Sequence, residues 1–225
     1  MKFKNKITSL AIASALSAPA VMVSAPAHAE MSASFAVSNM YLWRGQNLTP
    51  NGAAVSGSLD YGHESGLYAG VWTTTETEGH ETDLYVGFGG EVGGLGYDIS
   101  FWEYLYPEDG TPPMDGLSDT DASELVLGLS YAGFGFGAYM QTDSDKDDDN
   151  YFTLSYEMDK VSFTYGFWDL ENTGNEYGHF TIGYAATDEL SFAISFADND
   201  VPDTDSSAIE EDPLFVVTYS KSFDL

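Results

Sequence analysis

The sequence contains no cysteine, and only 7 of its 225 residues are lysine or arginine. Without thiols there is no disulfide framework, no thiol nucleophile and no thiolate metal site. Against so few bases stand 36 acidic residues, a formal charge of −29, which excludes nucleic-acid binding through a basic surface. Long apolar runs are scarce too. After the first stretch, nothing approaches the roughly 20 apolar residues of a spanning helix, so nothing later in the chain would hold it in an inner membrane. Aromatic residues, by contrast, make up 15% of the chain, more than an acidic disordered sequence carries. An ordered β-protein is expected.

The single apolar run lies at the start. Lys2, Lys4 and Lys6 precede an apolar stretch from Ile7 to about Val23, and Ala27-His28-Ala29 supplies an A-x-A cleavage pattern. Pro19 and Pro26 interrupt the run and argue for an export signal over an anchor. We expect a cleaved signal peptide at 1–29 and one domain over 30–225. The exported chain then keeps Arg44, Lys146, Lys160 and Lys221 against all 36 acids. Such a field attracts cations and repels anions.

From residue 33 onward the chain alternates apolar and small polar residues for about ten positions, turns, and alternates again. The pattern predicts twelve strands: 33–43, 53–63, 66–74, 82–90, 95–106, 123–132, 134–142, 151–158, 161–168, 177–185, 190–197 and 213–224. Each is near the ~9–11 residues of a tilted membrane strand. Every second connection is short, as at 63–66, Gly133 and Asp159-Lys160, whereas 44–52, 75–81, 107–122, 143–150, 169–176 and 198–212 read as long loops. An even strand count with short turns at one end and long loops at the other predicts an all-β, antiparallel, up-and-down transmembrane barrel.

The two faces fit that architecture. Sets such as Leu125/Leu127/Leu129/Tyr131 and Leu190/Phe192/Ile194/Phe196 carry no charge and are expected to face lipid. Aromatic girdles are expected at Tyr61, Tyr131, Phe134, Tyr156, Tyr184 and Phe223 on the short-turn side, and at Tyr41, Trp43, Phe101, Phe152 and Phe167 on the other. The opposite face holds Ser, Gly, Thr, Tyr and Trp with almost no Lys, unlike an ordinary soluble surface. The last strand, Pro213–Leu225, resembles the C-terminal recognition strand of bacterial outer-membrane barrels. Its machinery for barrel assembly is an expected partner, with outer-membrane lipid, lipopolysaccharide and small solutes. Long loops are expected outside the cell and both termini in the periplasm.

Six residues are candidates for the pore lining. Arg44, the one arginine, follows the first strand with the inward parity of Ser34, Ala36 and Ser38. Glu81, Asp83 and Glu124 share its level near the long-loop mouth; Asp60 and Asp98 face inward nearer the short turns. Arg44 either sets a constriction by bidentate pairing or simply latches the first loop to the wall. The acids predict a lumen favouring small cations or neutral solutes. The alternative is a non-conducting structural or adhesion barrel, its lumen packed by Tyr85, Trp102, Tyr139 and Trp168, whose acidic loops bind divalent cations, glycans or a partner. A soluble exported β-sandwich is a third reading. Asp143, Asp145 and Asp147 have the spacing of an EF-hand start, but Asp148 replaces the required Gly and Leu154 the closing Glu. Loose Ca²⁺ or Mg²⁺ association at acidic loops is the most they imply, and no resident cofactor is expected. No Ser–His pairing is visible on an outward face, so no enzymatic activity is expected.

The opening third carries a family resemblance. Tyr41, Arg44 and Gly45 lie in SNMYLWRGQNLT (Ser38–Thr49), Asp60-Tyr61 follow, and Gly66, Tyr68, Gly70 and Trp72 form GLYAGVW. Glu81-Thr82-Asp83-Leu84-Tyr85 and Tyr106-Pro107 complete the set. In these segments the chain resembles the TorF family of bacterial outer-membrane proteins, also called Gcw_chp. The resemblance implies an outer-membrane location and a porin label, and supplies no substrate.

Overall fold

The computed structural model describes residues 29–50, 52–76, 79–106, 122–142, 150–169, 177–198 and 212–225. Among them are β1 (Glu30–Ser38), a short ribbon β2 (Leu42–Trp43) and β3 (Gln46–Asn47), and β4 (Ala54–Gly62), β5 (Leu67–Glu76) and β6 (Gly79–Val92). There follow β7 (Leu95–Leu105), β8 (Ala122–Tyr131), β9 (Phe134–Gln141), β10 (Asn150–Met158) and β11 (Val161–Asp169). The last three are β12 (Gly178–Ala185), β13 (Leu190–Asp198) and β14 (Leu214–Asp224). β1 and β4–β14 close a barrel in which each strand pairs with its neighbours in sequence and β1 pairs with β14. All the pairings are antiparallel, and the seam runs from Ser32 opposite Asp224 to Ser38 opposite Thr218. Closure removes every free sheet edge. The expected architecture is thus the observed one: a twelve-strand antiparallel barrel.

The short turns are built by residues with left-handed backbone. Gly93 (φ 61) and Gly94 (φ 86) join the paired Val92 and Leu95, and Ala132 (φ 51) with Gly133 (φ 87) join Tyr131 and Phe134. Two positive-φ residues make the type I′ turn, whose twist matches that of the flanking strands.

Burial runs opposite to that of a soluble protein. On β6, Glu81 is 1% and Asp83 0% exposed, whereas Val86 on the other face is 52% exposed. Leu59, Leu127, Leu154, Phe136 and Phe215 are likewise exposed on the outer surface, and Ser100, Thr181 and Ser195 are buried inside. An apolar outer surface this extensive is unstable in water and favourable against acyl chains.

Two boundaries differ from the expectation. β1 stops at Ser38, not near 43, because Asn39 takes over the ladder: its Nδ2 donates to Phe215 O at 2.9 Å and its Oδ1 accepts from Val217 N at 2.7 Å. The chain then turns into the barrel. Tyr41 and Trp43 are therefore not in the outer girdle; Tyr41 is 4% exposed and lies against Trp72 inside. The supposed long loop at 75–81 is also mostly strand, since Glu76 pairs with Gly79 and only residues 77 and 78 separate β5 from β6. Alternation records which face a residue takes and cannot tell a continuing strand from one that folds inward.

Candidate functional site

Residues 39–49 form a compact insert in the long-loop half of the lumen. Leu48 N donates to Tyr41 O at 2.8 Å and Tyr41 N to Thr49 Oγ1 at 2.7 Å, closing the base of the β2–β3 ribbon. Its tip is Arg44 (φ 48) and Gly45 (φ 86). Gly45 is required there twice over: its backbone is left-handed, and a Cβ would sit 2.7 Å from that of His179.

The insert delivers Arg44 to the centre of the barrel, where it is fully buried. Its Nη1 and Nη2 donate to the two oxygens of Glu124 at 2.8 and 2.6 Å, and Tyr104 OH donates to Glu124 Oε2 at 2.8 Å. Aromatic rings enclose the guanidinium: its carbon lies 4.6 Å from the ring centre of Trp43, 4.7 Å from Tyr139, 4.5 Å from Tyr151 and 4.7 Å from Trp168. Burial alone would lower its proton affinity, but the Glu124 carboxylate more than offsets this and holds it above the ordinary arginine value. A planar fork sandwiched by rings and paired bidentately is geometry that lysine cannot supply. Tyr177 also fastens the insert, donating to Arg44 O at 3.1 Å and accepting from Gln46. Burial pushes that phenol up to about 12.

The neighbouring acids are met unequally. Glu81 accepts from Tyr41 OH at 2.9 Å and Tyr106 OH at 2.5 Å. Burial, then the charge of Glu81, holds both phenols well above their ordinary value, so they remain donors. Both oxygens of Asp83 and Oε1 of Gln141 are buried with no hydrogen-bond partner among the described residues. Glu124 thus meets the guanidinium directly, Glu81 is held by two phenols, and the Asp83 oxygens are acceptors that none of these donors reaches.

Lower in the barrel, two tyrosines reach across glycines to acids. Tyr85 on β6 lies over Gly70 of β5 and donates to Asp60 on β4; Tyr68 on β5 lies over Gly87 of β6 and donates to Asp98 on β7 at 2.7 Å. A side chain at either glycine would collide with the ring. This accounts for the Gly-x-Tyr-x-Gly-x-Trp spacing: alternate inward positions must be large, then absent. Toward the short turns the inward residues shrink to Ser34, Ser58, Gly128, Ser155 and Thr164, all half-exposed. Half-exposed polar residues thus lie toward the short-turn end, and the buried inward residues toward the long-loop end.

Arg44, Glu81, Asp83 and Glu124 therefore meet at one level, and Asp60 and Asp98 lie apart from them under tyrosine clamps. Arg44 pairs bidentately with Glu124 on the wall, a geometry that fits both the constriction and the latch expected of it. Tyr85, Trp102, Tyr139 and Trp168 are all buried, the packing expected of the closed alternative. The ring cage, and a buried line from Tyr151 through His179 and Thr181 to Ser195 with contacts of 2.6, 3.2 and 2.8 Å, was not foreseen. The available signal was inward parity of aromatics on β9–β12 at the height of the one arginine. Asp143, Asp145 and Asp147 lie outside the described residues, as do residues 1–28 of the expected signal peptide. Among the described residues no group of three or more His, Asp or Glu is arranged to hold a metal ion.

Comparison with known proteins gives barrels and a family. The outer membrane phospholipase A of Escherichia coli is similar at 11% identity and a TM-score of 0.45, over 87% of this chain and 92% of that one. The NanC porin aligns at 13% identity and 0.40, over 85% and 97%. The COG4313 outer membrane channel of Pseudomonas putida F1 aligns at 10% and 0.39, over 92% and 99%. At scores this low no activity or residue role is carried across. No curated protein matches the sequence. The family match covers residues 23–223, and the chain belongs to the Gcw_chp family, described as bacterial protein of unknown function.

Proposed function

We propose that the protein is a narrow, porin-like outer-membrane channel for small cations or neutral solutes, closed in the state described by residues 39–49. One observation supports the reading: residues 39–49 turn inward and are fastened through Arg44–Glu124 against a buried cluster of wall aromatics, and the inward residues toward the short turns are small, polar and half-exposed. Arg44, Glu81, Asp83 and Glu124 form the constriction; Asp60 and Asp98 line the vestibule and disfavour anions. The signal peptide is removed after Ala29, the barrel-assembly machinery inserts the chain, and the long acidic loops face outward, where divalent cations link them to lipopolysaccharide.

The second reading, a permanently closed barrel acting through its loops, is favoured by the buried layer of Tyr85, Trp102, Tyr139 and Trp168. Planar-bilayer recordings separate the two. Replacing residues 40–48 by a Gly-Ser linker is expected to turn a mostly silent protein into one with discrete steps and a cation-selective reversal potential. Silence of the replaced, folded barrel defeats the channel; anion selectivity defeats the assigned role of the acids.

A further inference from the structure

We infer that Arg44 is a tethered stand-in for a diffusible ligand, and that the site it fills binds small guanidinium-bearing solutes. The inference rests on the reading that residues 39–49 leave the lumen.

When the insert departs it takes Trp43 with it. Tyr139, Tyr151 and Trp168 stay, because they belong to β9, β10 and β11. Glu124 stays on β8, still oriented by Tyr104 from β7. What remains is a flat slot with aromatic walls and a carboxylate presenting two oxygens 2.6 and 2.8 Å from where guanidinium nitrogens now sit. That shape selects a planar, delocalised fork over a compact ammonium, which makes one direct contact and holds its water more strongly.

The site also has more acceptors than its present occupant uses. Both oxygens of Asp83 and Oε1 of Gln141 are buried and unpartnered among the described residues, and Gln141 is the direct cross-strand neighbour of Glu124. Unpartnered buried acceptors are costly, and a ligand with further donors satisfies groups that the tethered arginine leaves bare. The tether sets the competition. An intramolecular occupant acts at an effective concentration of order millimolar, so a solute enters the native protein only when abundant or when the insert is already out.

The test is binding, measured apart from conductance. Purified Arg44→Ala barrel in detergent is titrated with methylguanidinium chloride, following tryptophan fluorescence and melting temperature. Methylammonium chloride, KCl and urea serve as controls. A saturable response at millimolar methylguanidinium is expected, with methylammonium on the order of tenfold weaker or more. The wild type should respond more weakly and only at higher concentration, because its tethered arginine competes, and Glu124→Gln added to Arg44→Ala should abolish the response. Arg44→Gln, closer in shape, repeats the titration if the alanine variant fails to fold. No saturation in a folded variant, equal responses to methylammonium, or persistence without Glu124 would overturn the inference. Saturable binding in a barrel that never conducts would refute the channel and leave the site standing. Conductance without binding would do the reverse.

Discussion

Changing Glu124 to glutamine removes a charge and little else. The residue faces Arg44 across 2.6 Å, and the two side chains are 0% and 3% exposed, so solvent does not screen the loss. Taking one partner from a buried pair costs about 3–5 kcal/mol, chiefly because the other charge is left uncompensated. The ring contacts to Arg44 exist before and after and do not offset that cost. If the insert leaves the lumen as proposed, the barrel wall need not bear it either, since release carries Arg44 to water. At about 1.4 kcal/mol per tenfold, the closed-to-open ratio should fall by about two to three and a half orders of magnitude. Trypsin reads this directly: Arg44 is the one arginine in the sequence, and the peptide ending there marks the open state. Cleavage after Arg44 should rise at least about 100-fold in Glu124→Gln when opening is fast relative to cutting. Adding Arg44→Met removes the stranded charge and should return conductance to its silent level. Cleavage at the wild-type rate in a folded Glu124→Gln barrel would refute the latch.

Two further perturbations address the walls. Gly70→Ala or Gly87→Ala should drive the overlying tyrosine ring off its acid at about 1–3 kcal/mol, lowering the temperature at which the folded band disappears on a gel. Gly52→Ala, with nothing within 4 Å of its Cβ, should leave that temperature unchanged. Leu127→Arg places a charge in the middle of the apolar belt and should cost about 2–4 kcal/mol in refolding titrations into lipid vesicles. A loss no larger than that from the inward Thr164→Arg would count against a lipid-facing belt.

The candidate site was half-legible. Parity put Arg44, Glu81, Asp83 and Glu124 inside and at one height, because a strand's side-chain period of two is a local property. Asp60 and Asp98 followed by the same rule. Their tyrosine clamps did not, since Tyr85 and Asp60 lie on strands separated by the one carrying Gly70. Tyr41 and Trp43 went astray because a strand that leaves the wall keeps its alternation for several residues. Nothing in that stretch marks the departure except Asn39 and the Arg44-Gly45 turn.

By itself the sequence determined the barrel: twelve alternating segments, uncharged on one side, admit few arrangements that leave no open edge. Only the tertiary structure decided what the long-loop half of the lumen holds: the insert at residues 39–49, with Arg44 paired to Glu124. Arg44 and Glu124 are 80 residues apart, and Arg44 and Tyr177 still farther. They meet because ring closure brings β7 to β12 around an insert from the first strand's end. Local alternation fixes which way a side chain points, and contact across the lumen exists only once the last strand has joined the first.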